Sequence, residues 1–292
     1  MSRKFAILDG EREVLEITEP DRGDFLQGLI SNDIARLASG QAIYAALLTA
    51  QGRYLHDFFL AARGEAFLLD GEAARLPDLT RRLTLYKLRS KVSLRNARDQ
   101  FAVAVAWGTD ALAAFDLPDA PGATLPFADG VVYTDPRFAA LGARLILPRD
   151  GAGAALQARG FVETDPVDYD RLRLSLGVPD GSRDLVPEKS LLMESGFDVL
   201  NGIDWNKGCY IGQEITARMK YRALVKKQLM PVSVAGPMPA PGTAIMLGGD
   251  AVGEMRSGGD GAALALLRLD ALEKAPLRAG EATVTPRKPA LL

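Results

Sequence analysis

One cysteine, one histidine and two tryptophans are all that 292 residues hold of those three types. A single cysteine excludes an internal disulfide framework and a zinc site built on several thiolates. The lone histidine, His56, has no second imidazole to share a metal with, so no resident metal is expected. A hydrolytic triad has no support beyond isolated residues. No apolar run approaches the ~18 residues that a membrane-spanning helix needs, so no membrane partner is expected. Neither charge is in excess: 35 Lys and Arg against 37 Asp and Glu leave a formal net charge of −2. Such a balance gives no whole-molecule attraction to nucleic acid or to an anionic membrane. Phosphate-loop spacing is missing, and the Gly-rich strings near 248–261 lack the dinucleotide fingerprint and read as turns. The start, MSRKFAILDGEREVLEIT, turns acidic by Asp9 and reads as a strand pair, not as a signal or transit peptide. With a free thiol, this gives the expectation of a cytoplasmic protein; a monomer is expected.

What is present suits a folded chain of two or three domains, with 48% apolar and 25% charged residues. The first 97 residues mix strands and helices. Asp21 can cap a helix with Phe25, Leu26, Leu29 and Ile30 on one face, and AIYAALLTAQGRYLHDFFLAA reads as a long hairpin turning at Gln51-Gly52. EAARLPDLTRRLTLYKLRSK reads as an amphipathic helix broken early by Pro77. Residues 98–166 alternate short strands and helices in the manner of a ferredoxin-like α+β domain. A helix follows in DPVDYDRLRLSLGVP, with Val167, Tyr169, Leu172 and Leu176 on one face, then a long polar, irregular stretch to residue 222. From 223 on, apolar strands separated by Gly and Pro read as a small β-barrel; nine of the 29 glycines and seven of the 17 prolines lie beyond Lys227.

The only cysteine, Cys209, stands in KGCYIGQE, residues 207–214, between glycines and beside Lys207. The lysine and the N–H groups of a helix opening at Gly212 would favour its thiolate. From Lys207 to Lys227 there are six basic residues against one acid, Glu214; such a run suits a polyanionic ligand tail or an acidic partner. For Lys226 and Lys227 a solvated face is the simpler account. A second basic cluster lies at Arg81, Arg82, Lys87, Arg89 and Lys91. Strand alternation puts His56 and Asp57 on opposite faces, so they do not form a dyad.

The octapeptide resembles the signature of the YgfZ-type folate-binding proteins, relatives of the glycine-cleavage T-protein whose mitochondrial member assists iron–sulfur cluster assembly. FLQGLISNDI at 25–34, LLTAQGRYLHDFFL at 47–60, LYKLRSKV at 85–92, YDRLRLSLGVPDG at 169–181 and LVPEKSLL at 185–192 fall in the same order as in that family. The resemblance implies an α+β fold: a three-domain ring of two ferredoxin-like units and a C-terminal β-barrel around a central tetrahydrofolate channel. It implies Cys209, Lys207 and Asp57 as reactive residues. Tyr44, Asn32, Gly208, Tyr210, Gln213, Glu214, Arg218 and Glu188 are implied for the folate. The expected partners are folate and the iron–sulfur cluster assembly proteins or client enzymes. Where the T-protein carries an acidic doublet this chain has His56-Asp57, and where it has a pterin-gripping glutamate this chain has Ser175. Both departures count against aminomethyl transfer. The expected function is a tetrahydrofolate-binding factor in iron–sulfur protein maturation or repair. A one-carbon transferase and a non-catalytic adaptor are the alternatives.

Overall fold

The computed structural model describes residues 2–274 and 276–290. The chain divides into two compact units. One comprises residues 1–48, 55–169 and 200–211, and the other residues 49–54, 170–199 and 212–292.

The first unit holds two sheets. A five-stranded one runs in the order Ile43–Leu48, Tyr54–Arg63, Ala66–Glu72, Arg12–Thr18, Ser93–Asn96. One of its faces packs Leu15, Ile17, Leu47, Phe58, Leu60 and Leu69 against Leu26 and Ile30 and against the Leu76–Lys87 helix through Leu76, Leu79 and Leu83. The six-stranded sheet runs Val162–Glu163, Lys4–Ile7, Phe101–Trp107, Ala143–Pro148, Gly130–Thr134, Thr124–Phe127, over a core that includes Phe5, Ala104, Val132, Leu145 and Leu156.

Several local expectations change. Lys4–Ile7 and Arg12–Thr18 are both strands, yet they do not pair: the first joins Phe101–Trp107 and the second joins Ala66–Glu72. The Asp9-Gly10 turn passes the chain from one sheet to the other. Pro77 does not break its helix. It occupies the first turn of Leu76–Lys87, where a missing N–H costs nothing and the fixed φ suits the start. TDALAAF condenses to a single 3-10 turn at Ala113–Phe115. In the Pro166–Leu176 helix Tyr169 is buried as expected, but Val167 is 48% exposed and Leu172 and Leu176 are half-buried, while Arg173 and Leu174 are buried. The apolar period misplaced that face because an arginine occupies the interior.

In the second unit the strands of Lys227–Pro286 close a barrel in the order Lys227–Ala235, Ala262–Arg268, Asp250–Gly259, Ala244–Leu247, Leu277–Ala279, Ala282–Pro286. Lys227–Ala235 closes it by pairing with Ala262–Arg268 along one edge and Ala282–Pro286 along the other. Val232, Ile245, Met255, Ala265, Leu267 and Val284 fill the interior. Arg173 is fully buried here. It donates to Asp184 at 2.8 Å, to Asp170 at 2.6 Å and to Ser257 Oγ at 2.8 Å, so its charge is compensated on every side.

Candidate functional site

The segment Leu200–Ile211, which carries Lys207 and Cys209, is stitched to FLQGLISND within the first unit. Ser31 Oγ donates to the Gly202 carbonyl at 2.6 Å. Asn32 Nδ2 reaches the carbonyls of Tyr44 and Asn201 at 2.8 and 2.7 Å. Arg36 pairs with Asp204 at 2.7 Å. Lys207 is the centre of the seam. Its buried ammonium donates to the carbonyls of Gln27, Ile30 and Asn32 at 2.8, 2.7 and 2.8 Å. Gln27 ends the Arg22–Gln27 helix, whose last carbonyls lack intrahelical partners, so the lysine caps that end from 180 residues away. Burial lowers its pKa from 10.5 to about 8, against the pull of Asp33 and Asp204. All three ammonium protons are held by backbone oxygens, so Lys207 acts on the loop's position. Its Nζ also lies 5.2 Å from the centre of the Tyr210 ring, which is buried. Between these two buried side chains Cys209 and Gly208 are exposed. The loop thus has a fixed inner half and a presented thiol.

Asn32 and Tyr44 line a cavity of about 250 Å³ with Arg36, Ile43, Pro136 and Asn201. Behind it, the second faces of the two sheets enclose a buried ionic cluster. Tyr44's hydroxyl donates to Asp57 at 2.8 Å. Burial first, then the Asp57 charge, keeps that phenol well above its ordinary range. Arg12 and Arg144 both reach Asp70, at 2.7 and 2.5 Å, and Arg137 pairs with Asp135 at 2.8 Å. The guanidinium of Arg144 lies 4.0 Å from the Phe59 ring centre and that of Arg137 lies 4.8 Å from it. These arginines, with Asp70 and Asp135, were missed from the sequence. Their only signal was single charges inside apolar strands such as FLLDG and ARLILP.

His56 and Asp57 do face apart: His56 Nε2 is 2.9 Å from Asp78, while Asp57 takes the Tyr44 hydrogen bond. In the second unit, Gly212 (φ +80°) precedes the helix Gln213–Tyr221, as the sequence suggested. Arg218 is tied to Glu214 one turn earlier, at 2.7 Å; both are exposed, so the pair is weak. Glu188 adopts φ +62°, and its N–H donates to the Tyr54 carbonyl at 2.7 Å. Ser175 Oγ turns back to its own helix, onto the Leu172 carbonyl at 2.7 Å. Of the residues expected to bind folate, Asn32 and Tyr44 share the cavity; Gly208, Tyr210, Gln213, Glu214, Arg218 and Glu188 are not among its lining.

Two α+β sheets and a closed C-terminal barrel define a fold shared with the glycine cleavage system aminomethyltransferase T of Bartonella henselae. The likeness covers 100% of this chain and 86% of that one, with a TM-score of 0.79 at 16% sequence identity. Residues 226–292 match the family described as CAF17, C-terminal beta-barrel domain. The mouse (Mus musculus) protein named iron-sulfur cluster assembly factor IBA57, mitochondrial, is 35% identical over 92% of this chain and 78% of its own length. For the human (Homo sapiens) protein of the same name the identity is also 35%, over 89% and 76%. The chain belongs to the IBA57 family of iron–sulfur cluster assembly factors. The expected cytoplasmic location is overturned by these relatives, which are named as mitochondrial. A lone cysteine has no internal partner to form a disulfide with in any compartment, so its free thiol does not distinguish one from another.

Proposed function

We propose that this chain acts in the maturation or repair of iron–sulfur proteins, binds a reduced folate, and uses Cys209 as its reactive group. The observation that carries the reading is the exposed thiol of Cys209 on a loop pinned by buried Lys207. It stands in a chain that matches a named cluster assembly factor over 92% of its length. Lys207 holds the loop, and the glycine at 208 leaves space beside the thiol, since a Cβ there would meet nothing within 4 Å.

The folate part rests on the fit of the cavity. At about 250 Å³ it falls just below the ~300–1,000 Å³ of drug-sized ligand sites, enough for the bicyclic head of a folate and not for its glutamate tail. Ile43, Pro121 and Pro136 supply apolar wall, and Gln41, Asn201 and Arg36 supply polar edges. A bound reduced folate would supply a one-carbon carrier or a redox-active ring. Tyr44, braced by Asp57 and by Arg137 over its ring, would hold the head in place.

Titration of the purified protein with tetrahydrofolate tests the folate part: saturable binding that weakens in Tyr44→Ala supports it, and no binding removes it. Cys209→Ser tests the rest, expressed in cells lacking their own member of the family. Loss of iron–sulfur enzyme activity at normal protein level is the expected result. Full rescue by the serine variant would return Cys209 to a packing role. Aminomethyl transfer is the weaker reading, because His56 is bound to Asp78 and Ser175 to its own helix.

A further inference from the structure

From Leu79 to Arg98 the chain carries seven basic residues and no acid, in a protein whose net charge is −2. Four of the seven are answered by carboxylates: Arg81 and Arg82 by Asp78, Arg95 by Glu16, Arg98 by Glu13 and Asp99. Lys87, Arg89 and Lys91 have no ion pair among the described residues.

Around these three cations the surface is apolar. Leu85 is 66% exposed, Tyr86 45% and Leu88 89%. They make up three of the ten large apolar side chains exposed among the described residues, within four consecutive positions, so they form a patch and not the scatter expected of an ordinary surface. Leu88 ends the Leu76–Lys87 helix at φ +44° and ψ −108°, a conformation that leucine rarely adopts. Strain of that kind persists only where the surroundings impose it. Here Asp21 does so. Its carboxylate accepts from the Lys91 N–H at 2.7 Å, and its own N–H donates to the Lys91 carbonyl at 3.2 Å. The turn is therefore pinned while its leucine projects into solvent.

We propose that Leu85, Tyr86 and Leu88, ringed by Lys87, Arg89 and Lys91, form a docking site for an acidic amphipathic helix of a partner protein. Charge complementarity selects that occupant: three unanswered cations around an apolar centre match a helix with one apolar stripe and carboxylates beside it. A membrane surface fits less well. An interfacial helix lies with its whole apolar face in the lipid, and the face of Leu76–Lys87 that carries Leu76, Leu79 and Leu83 is already in the core. The site is independent of the folate and thiol readings.

The test uses the full chain and a fluorescein-labelled synthetic helix with leucines at i, i+3, i+4 and i+7 flanked by glutamates, read by anisotropy. A second peptide carries glutamine for every glutamate. Two protein variants remove the apolar part (Leu85→Ser with Leu88→Gly, glycine being at ease at φ +44° and ψ −108°) or the charge (Lys87→Glu, Arg89→Glu and Lys91→Glu). All five side chains are exposed or half-buried, so both variants should keep the parent melting temperature. The expected result is saturable binding of the glutamate peptide, weakened about tenfold or more by either variant and by glutamine, and weakened by salt. Equal affinity for the two peptides, indifference to the variants, or no saturable binding up to about 0.5 mM peptide would overturn the proposal. So would patch-dependent sedimentation with phosphatidylglycerol vesicles in the absence of peptide binding, which would assign the surface to lipid.

Discussion

His56, as the chain's one histidine, can be titrated without interference from any other. It is 3% exposed on the Tyr54–Arg63 strand, with Nε2 2.9 Å from Asp78 Oδ2. An ionised carboxylate only accepts, so the neutral ring carries its proton on Nε2. Burial, and then the Arg75 guanidinium, lower the imidazole from 6.5 to about 4, against the upward pull of Asp78. Burial would raise Asp78 too, but hydrogen bonds from Arg82, Arg81 and His56 hold it well below the usual carboxylate range. It stays charged throughout the window. The unfolded chain therefore takes up a proton near pH 6.5 that the folded chain refuses until about pH 4. Stability is complete above pH 6.5 and falls with acid, by at most ~1.4 kcal/mol per pH unit, reaching about 3 kcal/mol near pH 4. Both tryptophans, Trp107 and Trp205, lie in the same unit as His56, so their fluorescence in urea reports its unfolding. Between pH 7.5 and 4.5 the parent protein should lose about 2.5 kcal/mol relative to His56→Gln, and the imidazole proton resonance should titrate near 4. A midpoint close to 6.5, or two stability curves that run parallel, would refute the account.

Asp70→Asn leaves Arg12 and Arg144 buried without their shared carboxylate and should cost about 3–5 kcal/mol, measured by the same tryptophan-detected unfolding. Lys207→Met removes the donor to three carbonyls and should cost about 3 kcal/mol or more; amide exchange should quicken in residues 27–32 and 207–211 together. Gly52, at φ +71°, would place a Cβ 2.8 Å from the Gly212 carbonyl oxygen and from Ile215 Cβ, so Gly52→Ala should lower the melting temperature well beyond an exposed-turn change, whereas Gly64→Ala, with nothing within 4 Å at φ +56°, should pay only the backbone strain.

Much of the local structure was legible because it depends on near neighbours. The hairpin at Gln51-Gly52, the barrel strands and the helix after Gly212 each follow from alternation, turn residues or a glycine at positive φ. Non-local pairing was not legible. Nothing in KFAILDG says that it joins Phe101–Trp107 in preference to the strand it precedes. The interior arginines were hidden for a related reason: Arg12, Arg144 and Arg173 read as surface residues until the carboxylates that neutralise them, 58, 74 and 11 positions away, are brought alongside. Of the candidate site, Cys209, Asn32 and Tyr44 could each be named from the sequence, but that Asn32 donates to the Tyr44 carbonyl and shares a cavity with it could not. That Lys207 is a buried strut was not legible either, since a lysine beside a cysteine looks like an electrostatic neighbour.

The strut explains why the two most distinctive stretches, FLQGLISND and KGCYIGQE, belong together. A helix of six residues, Arg22–Gln27, is too short to be stable alone, and the carbonyls at and beyond its end have no helical partners. An arginine at 207 would bring a planar fork where three convergent carbonyls call for a point donor. A neutral side chain would leave those carbonyls buried and unmet. Lysine meets all three, at the cost of burying a charge that lowers its own pKa to about 8. That charge is tolerable because Asp33 and Asp204 stand nearby, and Asp204 in turn binds Arg36 and the N–H groups of Asn206 and Lys207. The position of the Cys209 thiol is consequently set by residues 27–36 as much as by its own loop. A substitution at Ser31, Asn32 or Arg36 should therefore change the reactivity of a cysteine more than 170 residues away in the sequence.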